Sequence, residues 1–420
     1  MKKTSIVFIA LVVLVAGCNR ADHGRNDLLK KRTASNPGSP ENINPAECLK
    51  KYHSQLNELR SKFSVRVLPG VSFFQFGMGN RKKLIYKDGK LYDPFSGKIY
   101  HQWPLKQEIL IPNEYRVDVL TTDGRSIVLF EDETGVYVRE GNKTRMVENT
   151  ATSLNLPNFK GYKYSEILKV LHHEILINIL ESKPLPNFLV YSNPWRRDAA
   201  MMAMCLNSTG NLPLIRNWVM HIDDPYDRNN GGETEADNLG QTLYLVSLFG
   251  DTNHPVVRKI LREISRFEVK MSKGVYIVGR TDAHEAPVYQ TKWLKYGLIS
   301  LGMKDPYIVP QIQDNYSSLF WWAFKDSYMP GTIDAYEEWG MAKDKNPKYP
   351  YIGWAADHFH SKTRNALSNR DYPLSWEQDA SEADYSRMKV IDEKYVNDKI
   401  SAPHTWHASE MFLYLLEFRN

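Results

Sequence analysis

The sequence predicts a mainly α-helical body preceded by a small antiparallel β region. Three observations predict it. From about residue 160 onward apolar residues recur every three or four positions, as in YSEILKVLHHEILINILES with Ile167, Leu171, Ile175 and Ile179. Between about 68 and 148 the period is two, and Asp-Gly pairs interrupt it. Asp88-Gly89 separates KKLIY from KLY, and Asp123-Gly124 separates YRVDVLTT from RSIVLF. Nine of the ten tryptophans fall in the helical part; Trp103 alone lies in the β part.

The chain has 420 residues, of which 42% are hydrophobic and 25% charged, enough for a large core. Its net charge of +5 comes from intermixed acids and bases, so nucleic acid is not an expected partner. Arg81, Lys82 and Lys83 read as a solvated turn. At the N-terminus Lys2 and Lys3 precede an apolar run, 6–15, too short to span a bilayer. It ends in Val15-Ala16-Gly17-Cys18, small residues before a cut. This resembles the lipobox of bacterial lipoproteins, which implies lipidation at Cys18 and a membrane anchor there. Asn19 is not the Asp of inner-membrane retention, so the expected location is the cell envelope. In a Gram-negative cell it is the outer membrane.

Four segments follow: a signal peptide at 1–18, a polar tether at 19–45, an accessory helix-plus-β region at 46–150, and an expected catalytic body at 151–420. Leu49, Tyr52, Leu56, Leu59 and Phe63 mark a packing helix at 46–63. About six strands follow, with scaffolding as the expected role and carbohydrate binding as the alternative. Pro184 and Pro186 stop the first helix of the body. Further helices are expected near 195–207, 211–221, 234–249, 254–271, 287–302, 315–325, 353–368 and 404–418. His172 and His173 read as helix face. Cys48 and Cys205 leave a disulfide open, and no metal-ligand cysteine spacing exists.

The chemistry-bearing stretches are acid and aromatic clusters at helix starts. Trp195-Arg196-Arg197-Asp198 follows Pro194, a residue suited to a first helical turn. Arg197 beside Asp198 is expected to hold that carboxylate ionised for sugar hydroxyls. Glu233, Asp237 and Gln241 are spaced to share one helix face, with Glu235 and Asn238 on the next. Calcium is the rival ligand for the 223–237 loop. The run from Asp227 fails the EF-hand template, with Gly231 fifth and Asn238 twelfth, so no metal and no cofactor is assigned. Glu337 and Glu338 sit between Tyr336 and Trp339, an apolar setting that raises a carboxyl pKa. Ser375-Trp376-Glu377-Gln378-Asp379 follows, with Glu382 and Asp384. Trp406, Glu410 and Leu413 stripe the final helix.

Taken together, these stretches resemble the six-hairpin glycosidases, in particular the glucoamylase-like inverting enzymes. The carriers are Trp195-Arg196-Arg197-Asp198-Ala199, Glu235-Ala236-Asp237-Asn238-Leu239-Gly240-Gln241, Tyr336-Glu337-Glu338-Trp339 and Thr405-Trp406-His407-Ala408-Ser409-Glu410. The resemblance implies an (α/α)6 toroid over 160–420, sugar binding by Arg197 and Asp198, and a general acid at Glu337 or Glu338. The family's base precedes the final helix, but Ser401-Ala402-Pro403-His404 offers no carboxylate. The base is therefore sought among acids of the 377–384 group, Asp379 first, with Glu235 a competing acid. The expected substrate is an oligo- or polysaccharide, hydrolysed by acid/base chemistry. One alternative is a polysaccharide lyase using Tyr336, His358, His360 or His404. The other is a non-catalytic glycan-binding lipoprotein.

Overall fold

The computed structural model describes residues 44–61, 68–272, 274–310, 367–380, 382–416 and 418–420. Cys18, Tyr336, Glu337, Glu338, Trp339, His358 and His360 lie outside the described residues, as do the helix expected near 315–325 and most of that near 353–368.

Helix α1 (Pro45–Arg60) starts where Asn44 caps Ala46 N at 3.1 Å and Pro45 takes the first turn. Its buried stripe is Tyr52, Leu56 and Leu59. A four-stranded antiparallel meander follows: β1 (Phe74–Phe76), β2 (Leu84–Lys87), β3 (Lys90–Tyr92) and β4 (Ile99–Gln102). The turn between β2 and β3 puts Asp88 at φ 48° and Gly89 at φ 71°. Both angles are left-handed, as the Asp-Gly hairpin signal requires. A second meander holds β5 (Leu105–Ile111), β6 (Arg116–Thr121), β7 (Ser126–Glu131), β8 (Val136–Glu140) and β9 (Lys143–Met146). Val117, Val119, Ile127, Leu129, Val136 and Val138 form its buried face. The β region is thus two sheets of nine strands, where about six strands were expected.

The basic run at 81–83 is not a solvated turn. Arg81 and Lys83 are each only 2% exposed. Arg81 donates to Glu131 at 2.8 Å and to the Asp132 carbonyl at 2.7 Å. Glu131 also accepts from Gly77 N and Met78 N. Lys83 donates to the carbonyls of Gly77 and Gly79, and burial lowers its pKa to about 7. A buried cation persists only where fixed acceptors replace water.

The remaining long elements are α2 (Ser165–Ile177), α3 (Arg196–Thr209), α4 (Arg216–Met220), α5 (Asp237–Ser247), α6 (Pro255–Glu263), α7 (Pro287–Ser300), α8 (Glu393–Asn397) and α9 (Thr405–Leu415). His172 and His173 are completely buried in α2, and burial lowers both to about 3. They act as core rings: His173 stacks on Phe74 at 5.0 Å. Cys48 and Cys205 are both thiols, so no disulfide joins them. Helices α5 and α7 touch backbone to backbone: a Cβ on Gly240 would come within 2.2 Å of the Trp293 carbonyl carbon. The described residues from Asn44 onward form one compact unit around a continuous hydrophobic core.

The expected mainly α, (α/α)6-toroid-like body is not what forms. Helix makes up about 37% of the structure and strand about 21%, a mixed α/β architecture with several antiparallel sheets. Short hairpins interrupt the helices: β10–β11 (Ile179–Leu180, Lys183–Pro184), β12–β13 (Glu268–Met271, Gly274–Ile277) and β14–β15 (Arg280–Thr281, His284–Glu285). A fourth pair, β16–β17, joins Glu377–Gln378 to Ile400–Ser401. The helix expected over 254–271 ends at Glu263, and its tail becomes β12. The reason is local. Val269, Met271, Val275 and Ile277 alternate around Gly274, a strand pattern that the helical spacing on either side obscures.

Candidate functional site

An open cavity of about 250 Å³ lies where α3, α9, the β14–β15 tip and β16 converge. Tyr191, Trp195 and Trp406 supply aromatic wall; Asp198, Asp282, Glu377 and Asp379 supply carboxylates; Arg197, His284, Gln378, His404 and His407 complete the polar lining.

Helix α3 opens at the cavity because its first donor is met from outside. Arg196 N donates to Asp227 Oδ2 at 2.7 Å, so the loop acid serves as the cap that Trp195 cannot be. The next side chain, Arg197, lies 5.2 Å from the Trp195 ring centre. It donates to Glu235 at 3.2 Å and Asp282 at 2.6 Å, and its guanidinium is 3.6 Å from Asp237. Burial pushes the Glu235 and Asp237 carboxyls up, with Arg197 pulling the other way. Asp282 reaches Arg197 from the hairpin tip, where Asp282 and Ala283 adopt φ 46° and 66°.

Asp198 differs from its expected state. Arg197 turns to other acids, and Thr405 Oγ1 donates to Asp198 at 3.1 Å. Burial pushes the Asp198 pKa up to about 6, against the pull of His404, Arg197 and Thr405. The carboxyl therefore titrates closer to neutrality than an ordinary aspartate.

The same cavity holds the Glu377–His404 pair. Glu377 Oε2 is 2.6 Å from His404 Nε2 and accepts from the Tyr191 hydroxyl at 2.8 Å. Burial alone would lower the His404 pKa, but Glu377 and Asp198 outweigh it and the pKa is raised. Glu377 reaches this place through strand register, since it pairs with Ser401 three residues before His404. The carboxylate missing from Ser401-Ala402-Pro403-His404 in sequence is thus supplied across the sheet.

Of the residues expected to bind or act, Trp195, Arg197, Asp198, Asp379 and Trp406 all line the cavity. Asp379 is an exposed rim residue at φ 58°, already past the strand that points Glu377 inward. Glu235 and Asp237 stand behind Arg197 and orient it. Gln241 donates to Asp237 at 2.8 Å, and Asn238 accepts from Asp227 N at 3.0 Å, so both belong to the supporting network. The shared face expected for Glu233, Asp237 and Gln241 does not extend to Glu233. Helix α5 begins at Asp237, and Glu233 pairs with Arg280 at the surface. In the 223–237 loop, Asp224 pairs with Arg228 and Asp227 caps α3. Among the described residues no group of three or more acids, histidines or cysteines is arranged to hold a metal ion.

Sequence reasoning gave no role to Tyr191, Asp282, His284 or His407, and within 375–379 it preferred Asp379 to Glu377. For Asp282 and His284 the available signal was Thr-Asp-Ala-His, a polar turn after an alternating run. For Tyr191 there was none, because its neighbours read as an ordinary loop.

No family model, curated protein or solved structure matches the chain. With its mixed α/β architecture, that leaves the resemblance to six-hairpin glycosidases without support.

Proposed function

We propose that the cavity binds a sugar and hydrolyses a glycosidic bond of an uncharged oligo- or polysaccharide. One observation carries this reading: two carboxyl groups in opposite protonation environments open on a single aromatic-walled cavity. Burial raises the Asp198 pKa to about 6, so it keeps its proton to a higher pH than an ordinary aspartate does. Glu377 lies 2.6 Å from His404, whose pKa it raises, and a protonated imidazole there favours the ionised carboxylate. Such a divided pair fits acid/base hydrolysis. Asp198 delivers its proton to the glycosidic oxygen as the bond to the anomeric carbon breaks. Glu377 takes a proton from the water whose oxygen bonds to that carbon. Tyr191, Trp195 and Trp406 offer ring faces for the apolar side of a sugar.

A lyase needs cations to neutralise a uronate before its base removes a proton. Here Arg197 already answers three carboxylates and His404 answers Glu377, which favours the hydrolase over the lyase. The reading includes a lipid anchor at Cys18 and a place in the cell envelope, supported by Lys2, Lys3 and the apolar run before the cysteine.

The test is release of reducing ends from a panel of neutral glycans, with absorbance of unsaturated products followed in parallel. Release that disappears in Asp198→Asn and Glu377→Gln is the expected result. Glycan binding without release sinks the proposal in favour of a binding protein; full activity in both variants sinks the assignment of Asp198 and Glu377; unsaturated products would indicate a lyase. Incorporation of labelled palmitate that persists in Cys18→Ser would refute the anchor.

A further inference from the structure

Behind the cavity, α2 carries a carboxylate that the chemistry above does not use. Glu174 is fully buried among Val170, Leu171 and Ile175, positions a leucine would fill well. Its Oε1 accepts from Leu374 N at 2.6 Å, and its Oε2 accepts from Ser375 N at 2.9 Å and from the Ser375 hydroxyl. Burial still pushes its pKa up to about 7, so the group is held at a cost that packing alone does not explain.

The donors show what it holds. Ser375 Oγ, while donating to Glu174, accepts from His404 N at 3.1 Å. Glu377 lies two residues further along the same segment, in β16. One carboxylate therefore touches both arms of the Glu377–His404 pair: the first through the Leu374 and Ser375 amides, the second through the Ser375 hydroxyl. Apart from the β16–β17 pairing itself, the neighbouring ties reach one arm only. Asn187 donates to the Pro403 carbonyl at 2.7 Å, and Thr405 N donates to the Pro186 carbonyl at 2.9 Å.

We propose that Glu174 is a positioning residue for this site, setting Glu377 and His404 against each other through Leu374 and Ser375. The inference rests on the reading of the cavity as a hydrolytic site. Its consequence for His404 does not: without the anchor, Glu377 retreats from the imidazole, and a buried histidine without its counter-ion becomes neutral.

Kinetics and an NMR titration of the His404 imidazole, each on full-length protein, test it in Glu174→Gln and Ser375→Ala. Glutamine keeps the shape but turns an amide donor toward backbone N–H groups; alanine removes the hydroxyl that links Glu174 to the His404 amide and leaves the two backbone donors to Glu174 in place. In Glu174→Gln, kcat should fall on the order of tenfold to a hundredfold, with KM within about twofold of wild type. The His404 titration should move to lower pH in Glu174→Gln and, by less, in Ser375→Ala. A folded Glu174→Gln with wild-type kcat and His404 titration overturns the inference. Should that variant not fold, an unmoved titration in Ser375→Ala overturns it. If the wild type releases no sugar, the hydrolytic reading fails. The His404 titration then decides the role of Glu174 on its own.

Discussion

Arg81 and Arg197 are both buried, and both are held by carboxylates, yet their surroundings differ in kind. Arg81 meets one carboxylate, Glu131, and spends its other donors on the carbonyls of Asp132 and Thr152. Glu131 in turn closes on the amides of Gly77 and Met78. That cluster is complete, and it ties a loop to a sheet. Arg197 meets Glu235, Asp237 and Asp282, more acid than one cation balances, and its other side faces a cavity. A buried ion pair is therefore weak evidence of function by itself. Carboxylates in excess of the local cation, with raised pKa values and an opening beside them, are better evidence.

The largest expected effect lies at the cavity. Asp198→Asn should lower kcat by about 10²–10⁴-fold, the usual worth of a general acid, while a thermal melt stays close to wild type. In the wild type, activity should fall as pH rises through about 6, where Asp198 loses its proton. A variant that keeps this limb would show that another group supplies the proton.

The two arginines can be set against each other directly. Arg81→Met and Arg197→Met should each cost about 3–5 kcal/mol in denaturant unfolding at neutral pH, because each strands buried carboxylate. Burial already raises Glu131, Glu235 and Asp237, and loss of the cation raises them further. The folded state then keeps protons that the unfolded state has released. The deficit should therefore shrink as pH falls toward the ordinary carboxylate range and grow as pH rises. Only Arg197→Met should also impair glycan binding. Equal binding by both variants would erase the distinction drawn between the clusters.

A smaller effect is expected where α5 meets α7. Gly240→Ala should destabilise by about 1–3 kcal/mol through overpacking, because the added methyl meets Trp293 backbone rather than a movable side chain. The smallest belongs to the residue the structure moved out of the site. Glu233→Gln breaks an exposed pair with Arg280 and should cost no more than about 1 kcal/mol, with sugar release unchanged. A marked loss of activity there would return Glu233 to the cavity wall.

Much of the local structure was legible in the sequence. The stripe of α1, the Asp88-Gly89 hairpin and the starts of α3 and α9 follow from spacing and turn chemistry within a few residues. The short hairpins after residue 177 were not legible. Each is two to four residues per strand, too brief for a period to register, and they are what turns an expected helical toroid into a mixed α/β fold. For the site, Trp195, Arg197, Asp198 and Trp406 could be picked out because acid and aromatic residues gather at helix starts. Their partnerships could not. Arg197 neighbours Asp198 in sequence, yet helical geometry sends it to Glu235, Asp237 and Asp282.

By itself, then, the sequence determined which residue types stand at the helix mouths, because capping, periodicity and turn preference act within a few residues. Tertiary structure decided which acid faces which base. Glu377 meets His404 because β16 pairs with β17, and Glu174 meets Ser375 across 201 positions of chain. Protonation followed from the same source: Asp198 carries a raised pKa because packing removed its water, a cost that no neighbour in sequence records.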